Sequence, residues 1–134
     1  MFGHEVKIRV RYSETDQMGY VYYGNYASFL EVARVECFRH IGFTYKEMEE
    51  SGILMPVLEY KTKYIKPALY DDLLTVKVEI KEKPSVRIKF DYEILNEAGV
   101  LLNVAETTLV FFNKFTNKPS LPSPKFNELI QQYF

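Results

Sequence analysis

Tyr12-Ser13-Glu14-Thr15-Asp16-Gln17-Met18-Gly19-Tyr20-Val21-Tyr22-Tyr23-Gly24-Asn25-Tyr26, continued by Ala27 to Glu36, is the stretch on which the reading of this chain turns. It starts where an alternating strand pattern ends and finishes inside the longest helical pattern of the chain. Between the two lies a loop with one acid, Asp16, and two glycines, Gly19 and Gly24, which permit backbone conformations closed to other residues. A carboxylate in a loop just ahead of a helix N-terminus is a place where chemistry can be done. The rest of the chain reads as the scaffold that holds it.

On the N-terminal side, Val6, Ile8, Val10 and Tyr12 alternate with Glu5, Lys7, Arg9 and Arg11, which predicts a half-buried strand over residues 5–12. On the other side a helix is expected from about Asn25 to His40, with Tyr26, Phe29, Leu30, Ala33, Cys37 and Ile41 at three- and four-residue spacing. Val32, Val35 and Phe38 widen its apolar surface, so burial on most sides is expected. Asn25 suits the N-cap and Gly42 the stop. Thr44 with Glu47 opens a short second helix that ends near Gly52.

Four strand patterns follow, over residues 58–64, 74–80, 86–94 and 100–113. The breaks fall at Pro67 to Asp72, at Glu82-Lys83-Pro84-Ser85 and at Asn96-Glu97-Ala98-Gly99. Short turns predict that these strands are antiparallel neighbours. The last has two apolar faces near its end, as a central strand or a subunit contact would. Ser123 and Pro124 open a final short helix. One very apolar helix is best buried by a sheet that curls around it. The expected architecture is therefore α+β, in a single domain over residues 1–134.

Composition narrows the class. Of 134 residues, 47% are hydrophobic and 26% charged, as in an ordinary soluble domain. The 11 Tyr and 10 Phe fit a β-rich core, an aromatic pocket or a subunit interface. The formal charge is −1, which leaves no basic footprint for nucleic acid. The single cysteine, Cys37, reads as a buried thiol without a disulfide partner. No apolar run approaches the ~18 residues of a membrane span, and Met1 to Glu5 lacks a signal-peptide hydrophobic region. A cytoplasmic location is the expectation.

The strongest chemical candidate is Asp16, seven residues before Tyr23 at the apparent start of the helix. A helix N-terminus offers free N–H donors and the positive end of a dipole, suited to a developing oxyanion. A carboxylate facing such donors across a carbonyl is minimal equipment for acyl transfer. A solvated or capping acid would have the same spacing.

Other candidates read as structural. His4 is expected near a mobile terminus and His40 at the helix end. Neither a metal-ligand cluster, a phosphate-cradling glycine loop nor a nucleophile elbow around Ser13 or Ser28 is present, and Cys37 has no local activating partner. Glu59 shares its strand face with Lys61 and Lys63 and is expected in solvent. Glu31–Arg34 and Glu36–His40 have the spacing of ordinary surface pairs on a helix.

Tyr12-x-x-Thr15-Asp16-x-x-Gly19-x-Val21-Tyr22-Tyr23-x-Asn25-Tyr26, followed by Glu31-x-Ala33-Arg34-x-Glu36, resembles the 4-hydroxybenzoyl-CoA thioesterase family of hotdog-fold proteins. It is most similar to the branch of small acyl-CoA thioesterases that includes the one associated with the Tol-Pal cluster. A second block, Tyr64-x-x-Pro67-Ala68-x-Tyr70-Asp71-Asp72-x-Leu74, supports it, and the resemblance spans residues 5–113. It implies a curved antiparallel sheet around one long helix, dimers or tetramers with active sites at the dimer interface, and hydrolysis of an acyl-CoA thioester without metal or redox cofactor. Coenzyme A is then part of the substrate.

The family's catalytic Asp corresponds to Asp16 and its oxyanion-binding backbone N–H to Tyr23, with Gly24 and Asn25 beside it as substrate-binding positions. Residues that hold the nucleotide end correspond to Lys83 and Ser85, and Arg87 joins them on charge. Some members of the nearest branch have His where this chain has Tyr23, an exchange that a backbone donor survives. An acyl-carrier-protein thioesterase and a non-catalytic acyl-CoA or lipid-binding module are the competing readings. A hotdog dehydratase would need a His with the acid.

Overall fold

The computed structural model describes residues 1–134. Strand β1 (Phe2–Arg9) is followed by 3-10 turns at Tyr12–Glu14 and Tyr23–Asn25, the second running into helix α1 (Tyr26–Ile41). Then come α2 (Tyr45–Glu50), β2 (Ile53–Leu54), β3 (Val57–Tyr64), β4 (Leu73–Ile80), β5 (Arg87–Leu95), β6 (Leu101–Val110), β7 (Phe112–Asn113), β8 (Lys118–Pro119) and α3 (Pro124–Ile130). The main sheet is antiparallel in the order β1-β4-β5-β6-β3, and β2, β7 and β8 form a small second sheet. One long helix on an antiparallel sheet is the α+β arrangement that the patterning predicts, and the hotdog that the resemblance implies.

The core forms where two periodicities meet. Every second residue of β4, namely Leu74, Val76, Val78 and Ile80, is fully buried, as are Ala33, Cys37 and Phe38 of α1. Each such large apolar side chain contributes roughly 1.5–3 kcal/mol on burial. Gly42, at φ 104, ends α1 in the left-handed conformation that glycine adopts without strain, and its N–H returns to the carbonyls of Phe38 and Arg39. Thr44 caps α2 through the Glu47 N–H at 3.1 Å, and Ser123 caps α3 through the Phe126 N–H at 3.3 Å.

Four expectations need correction. First, β1 stops at Arg9 rather than residue 12: the chain winds into a 3-10 turn, and Tyr12 is 78% exposed. Second, the strand expected to reach residue 113 ends at Val110. The fully buried Phe111 carries the chain out of the main sheet and into β7.

Third, β3 pairs with β6, not with its successor β4. The eight residues 65–72 between them are long enough to cross the end of the sheet, and Asp71 turns into β4 at φ 66, which Asp tolerates. Fourth, α1 is not covered on most sides. Ala27, Ser28, Glu31 and Val32 are exposed, and beyond them lies β3, whose Val57, Leu58, Tyr60 and Tyr64 are exposed too. Five strands shield only one side of the helix.

Candidate active site

The loop that carries Asp16 is held by main-chain bonds at nearly every step. Thr15 and Val21 form a bridge, the Asp16 N–H donates to the Tyr20 carbonyl at 2.8 Å, and Gly19, at φ 77, donates to the Asp16 carbonyl at 3.0 Å. The segment before β4 closes over it: Val21 N–H donates to Ala68 O at 2.8 Å and Tyr70 N–H to Gly19 O at 3.2 Å. Below, the buried Glu14 accepts the Arg11 N–H at 2.7 Å. Its carbonyl takes the Tyr22 N–H at 2.9 Å and the Asn25 Nδ2 at 2.8 Å.

Within this frame the Asp16 side chain is half committed. Oδ1 accepts the N–H groups of Met18, at 2.8 Å, and Tyr20, at 3.2 Å, while Oδ2 accepts none. One oxygen fixes the carboxylate and the other faces outward. Across the loop, the Tyr23–Asn25 turn continues into α1, so the free donors of the helix fall at Tyr23 and Gly24. Neither amide has an acceptor within the chain.

Asp16 and Tyr23 line one open cleft of about 500 Å³ with Tyr20, Tyr26, Tyr64 and Lys66. Tyr26 stiffens its wall: the phenol accepts the Ala68 N–H at 3.3 Å and the ring meets Tyr64 edge-on at 5.2 Å. Burial pushes that phenol up from its ordinary value, so it remains a neutral hydroxyl. The arrangement offers a carboxylate with one uncommitted oxygen and the free Tyr23 amide around a space open to solvent, which suits attack on a polarised carbonyl.

The remaining predicted residues divide by place. Gly24 follows the cleft residue Tyr23, and a Cβ there would stand 2.8 Å from the Tyr22 ring, so its role is close approach rather than left-handed backbone. Asn25 occupies the cap position of α1 without a side-chain cap bond; its amide group ties the turn to Glu14 instead. Lys83, Ser85 and Arg87 lie at the other end of the sheet. Arg9 pairs with Leu73 at the Asp16 end and Phe2 with Ile80 at the far end, seven residues or roughly 23 Å apart. Within one chain these three residues do not reach Asp16.

Of the aromatic residues around the cleft, Tyr64 lines it and Tyr60 lines a second cavity, while Phe29 is 2% exposed in the core. Burial pushes the Cys37 thiol up to about 12. His4 belongs to β1, paired with Val78, and its ring stacks on His40 at 4.4 Å. Glu36 pairs with Arg39 rather than His40, and Arg34 pairs with the Tyr92 hydroxyl rather than Glu31. Lys66 and Tyr20 are cleft residues that sequence reasoning missed; the signal for Lys66 was its place beside Pro67 in the second block.

Residues 10–130 match the family model described as the thioesterase-like superfamily. The Bacillus subtilis protein YneP, provisionally assigned as an acyl-CoA thioesterase, is 37% identical over 113 residues, covering 84% of this chain and 82% of its own. The acyl-CoA thioester hydrolase YbgC of Escherichia coli is 33% identical over 112 residues, covering 84% of each chain. The DHNA-CoA thioesterase of Staphylococcus aureus is 34% identical and superposes with a TM-score of 0.93, over 99% of this chain and 91% of that one.

Proposed function

The chain belongs to the thioesterase-like superfamily, and from that premise we propose that it hydrolyses the thioester of a short-chain or aromatic acyl-CoA to the free acid and CoA. The observation that carries this reading is the shared cleft: a carboxylate with one oxygen pinned and one free, lining the same space as Tyr23, whose amide at the start of α1 is unpartnered. Asp16 Oδ2 attacks the carbonyl carbon, the C–S bond breaks with CoA leaving as the thiolate, and water cleaves the resulting mixed anhydride. Alternatively Oδ2 takes the proton of a water that attacks the same carbon. In both routes the Tyr23 N–H, with the helix dipole behind it, receives the developing oxyanion. One such donor is worth ~2.7–4 kcal/mol in the transition state.

Within the superfamily, the Tyr12–Glu36 block favours the 4-hydroxybenzoyl-CoA branch and its Tol-Pal-associated members. The relatives named above are acyl-CoA enzymes, which favours CoA over acyl-carrier-protein as the thiol carrier. No helix of the chain is long and apolar enough to cross a membrane, and we read the enzyme as cytoplasmic.

The working form in this reading is a homodimer, alone or paired into a tetramer. β3 is an eight-residue edge strand with exposed Val57, Leu58, Tyr60 and Tyr64, beside the uncovered side of α1, and such an edge invites pairing. An antiparallel β3–β3 contact turns one copy end for end. It brings Lys83, Ser85 and Arg87 of one chain towards the Asp16 end of the other, where they hold the nucleotide phosphates.

A thiol-release assay over acyl-CoA and acyl-carrier-protein panels tests the activity, with Asp16→Asn as control. Turnover of acyl-CoA that Asp16→Asn abolishes supports the reading. Turnover unchanged by Asp16→Asn removes Asp16 from the chemistry, and binding without turnover makes the chain a carrier module.

A further inference from the structure

Arg34 stands in the middle of α1, only 6% exposed, and no carboxylate lies within 4.0 Å of it. Of the five N–H donors of a guanidinium, the structure partners few. Nη1 donates to the Tyr92 hydroxyl at 3.1 Å, which shares a 2.6 Å bond with Thr107 Oγ1. Arg34 Nε has no partner, and neither has the buried hydroxyl of Tyr45, which lies close enough for the guanidinium to perturb it. A buried cation costs several kcal/mol of desolvation unless an anion compensates it. Hydroxyl dipoles alone leave the charge standing.

Beside this cation is a cavity of about 180 Å³, bounded by Ser28 and Leu30 of α1, Val57 and Tyr60 of β3, and Thr107 of β6. A ~150 Å³ apolar cavity holds a benzene ring, so the space fits the end of a small acyl group. It also lies further along the same helix and strand as the active-site cleft. Arg34 is eight residues beyond Tyr26, about 12 Å along the helix axis, and helical side chains lean back towards the N-terminus. On β3, Tyr64 lines the cleft and Tyr60, on the same strand face, lines the cavity. Glu31 also borders the cavity, but it is exposed, where water and salt weaken its field, whereas Arg34 is not.

We propose that the Arg34 cavity receives the far end of the acyl group and that the group it selects is tipped by a carboxylate, so that the preferred substrates are ω-carboxyacyl-CoA thioesters. A phenol tip would add a dipole to a site that Tyr92, Tyr45 and Thr107 already furnish with hydroxyls. A carboxylate neutralises the charge and can take the terminal N–H groups that Tyr92 leaves free, end-on, in the forked geometry that arginine favours. The proposal rests on the thioesterase reading and names the substrate class of that site.

The test compares kcat/KM for ω-carboxyacyl-CoAs of four to eight carbons with methyl-ended acyl-CoAs of matched length, in the wild type, Arg34→Lys and Arg34→Met. The expected wild-type preference for the carboxylate-ended series, at its best length, is roughly 10–100-fold, the range of a charge-assisted bond. Arg34→Lys keeps the charge and loses the fork, so part of the preference persists; Arg34→Met brings the ratio to one or below. A second measurement uses Asp16→Asn, which retains Arg34: calorimetry is expected to show tighter binding of the carboxylate-ended thioester than of its methyl-ended match. A wild-type ratio near one, with methyl-ended substrates turned over, overturns the proposal and leaves the thioesterase reading intact. Absence of turnover on both series counts against the thioesterase reading, and the calorimetric difference, present or absent, then decides the role of Arg34.

Discussion

The two ends of the main sheet carry loops of opposite character. At one end, residues 11–25 are tied by main-chain bonds within the loop and to residues 68–70, and that frame leaves one Asp16 carboxylate oxygen and the Tyr23 amide unpaired at a single cleft. At the other, the Glu82–Val86 turn is tied to its surroundings mainly by Ser85 N–H to Arg87 O, at 3.1 Å, and Phe111 N–H to Val86 O, at 2.9 Å, while Lys83, Ser85 and Arg87 are exposed. The first end is built to aim atoms. In the proposed reading, the second offers charge to the anionic end of the substrate. Bond making requires placement within fractions of an ångström, whereas phosphate attraction survives movement, so rigidity at one end and looseness at the other fit one substrate held from both sides.

Substitutions at the two ends are therefore expected to differ in kind. The largest effect belongs to Asp16→Ala, which removes the base or nucleophile: kcat falls by ~10²–10⁴, read from single-turnover thiol release, with little change in thermal midpoint. Lys83→Ala combined with Arg87→Ala is expected to raise KM by ~10-fold and leave kcat nearly constant, since each lost surface charge contact is worth about 1 kcal/mol or less. Mixing that double variant with Asp16→Asn sharpens the contrast. If the ends meet across a dimer, each mixed dimer regains one intact site and low-KM activity returns. If they do not, the mixture stays as impaired as its parts.

Smaller effects probe the frames themselves. Gly19→Ala places a side chain at φ 77 with open space around it, so only backbone strain of about 1 kcal/mol is expected. It should appear as a modest loss of kcat with the fold retained. The smallest effect lies near the far end, in the stacked His4–His40 pair. His4 is lowered from its usual 6.5 by burial and then by His40, with Glu36 and Glu5 opposing. A lowered histidine is neutral in the fold and charges more readily when unfolded, so its stability contribution is intact above pH 6.5 and declines as the pH falls below it. A thermal-denaturation series is expected to show that decline, and His40→Gln to flatten it.

How much of this was legible in the sequence depended on how local each feature is. Asp16, Gly19 and Tyr23 lie within eight residues, so the loop and its helix could be read together. The other wall could not, because residues 65–70 reach the loop only when β3 pairs with β6 and the chain crosses the sheet. Helical spacing placed Arg34 beside Glu31 and predicted a surface pair, but spacing reports a face and not a depth. The Tyr92 hydroxyl, 58 positions away, is what shows that Arg34 points into the core. Likewise the apolar width of α1 predicted burial on most sides, while the fold leaves Val32 44% exposed; a pattern records how apolar a face is and not what lies against it.

The central claim is that the Tyr23 N–H is the oxyanion donor, and Tyr23→Pro tests it with unusual economy. That amide has no acceptor in the fold, and Tyr22 at φ −61 and ψ 133 already has the extended backbone that precedes proline comfortably. The substitution therefore deletes the donor without breaking an internal hydrogen bond, and Tyr23→Ala controls for the lost ring. The account predicts that kcat on a matched acyl-CoA falls ~10²–10³-fold in Tyr23→Pro, with a thermal midpoint close to that of Tyr23→Ala. A folded Tyr23→Pro enzyme turning over at the rate of Tyr23→Ala would contradict it.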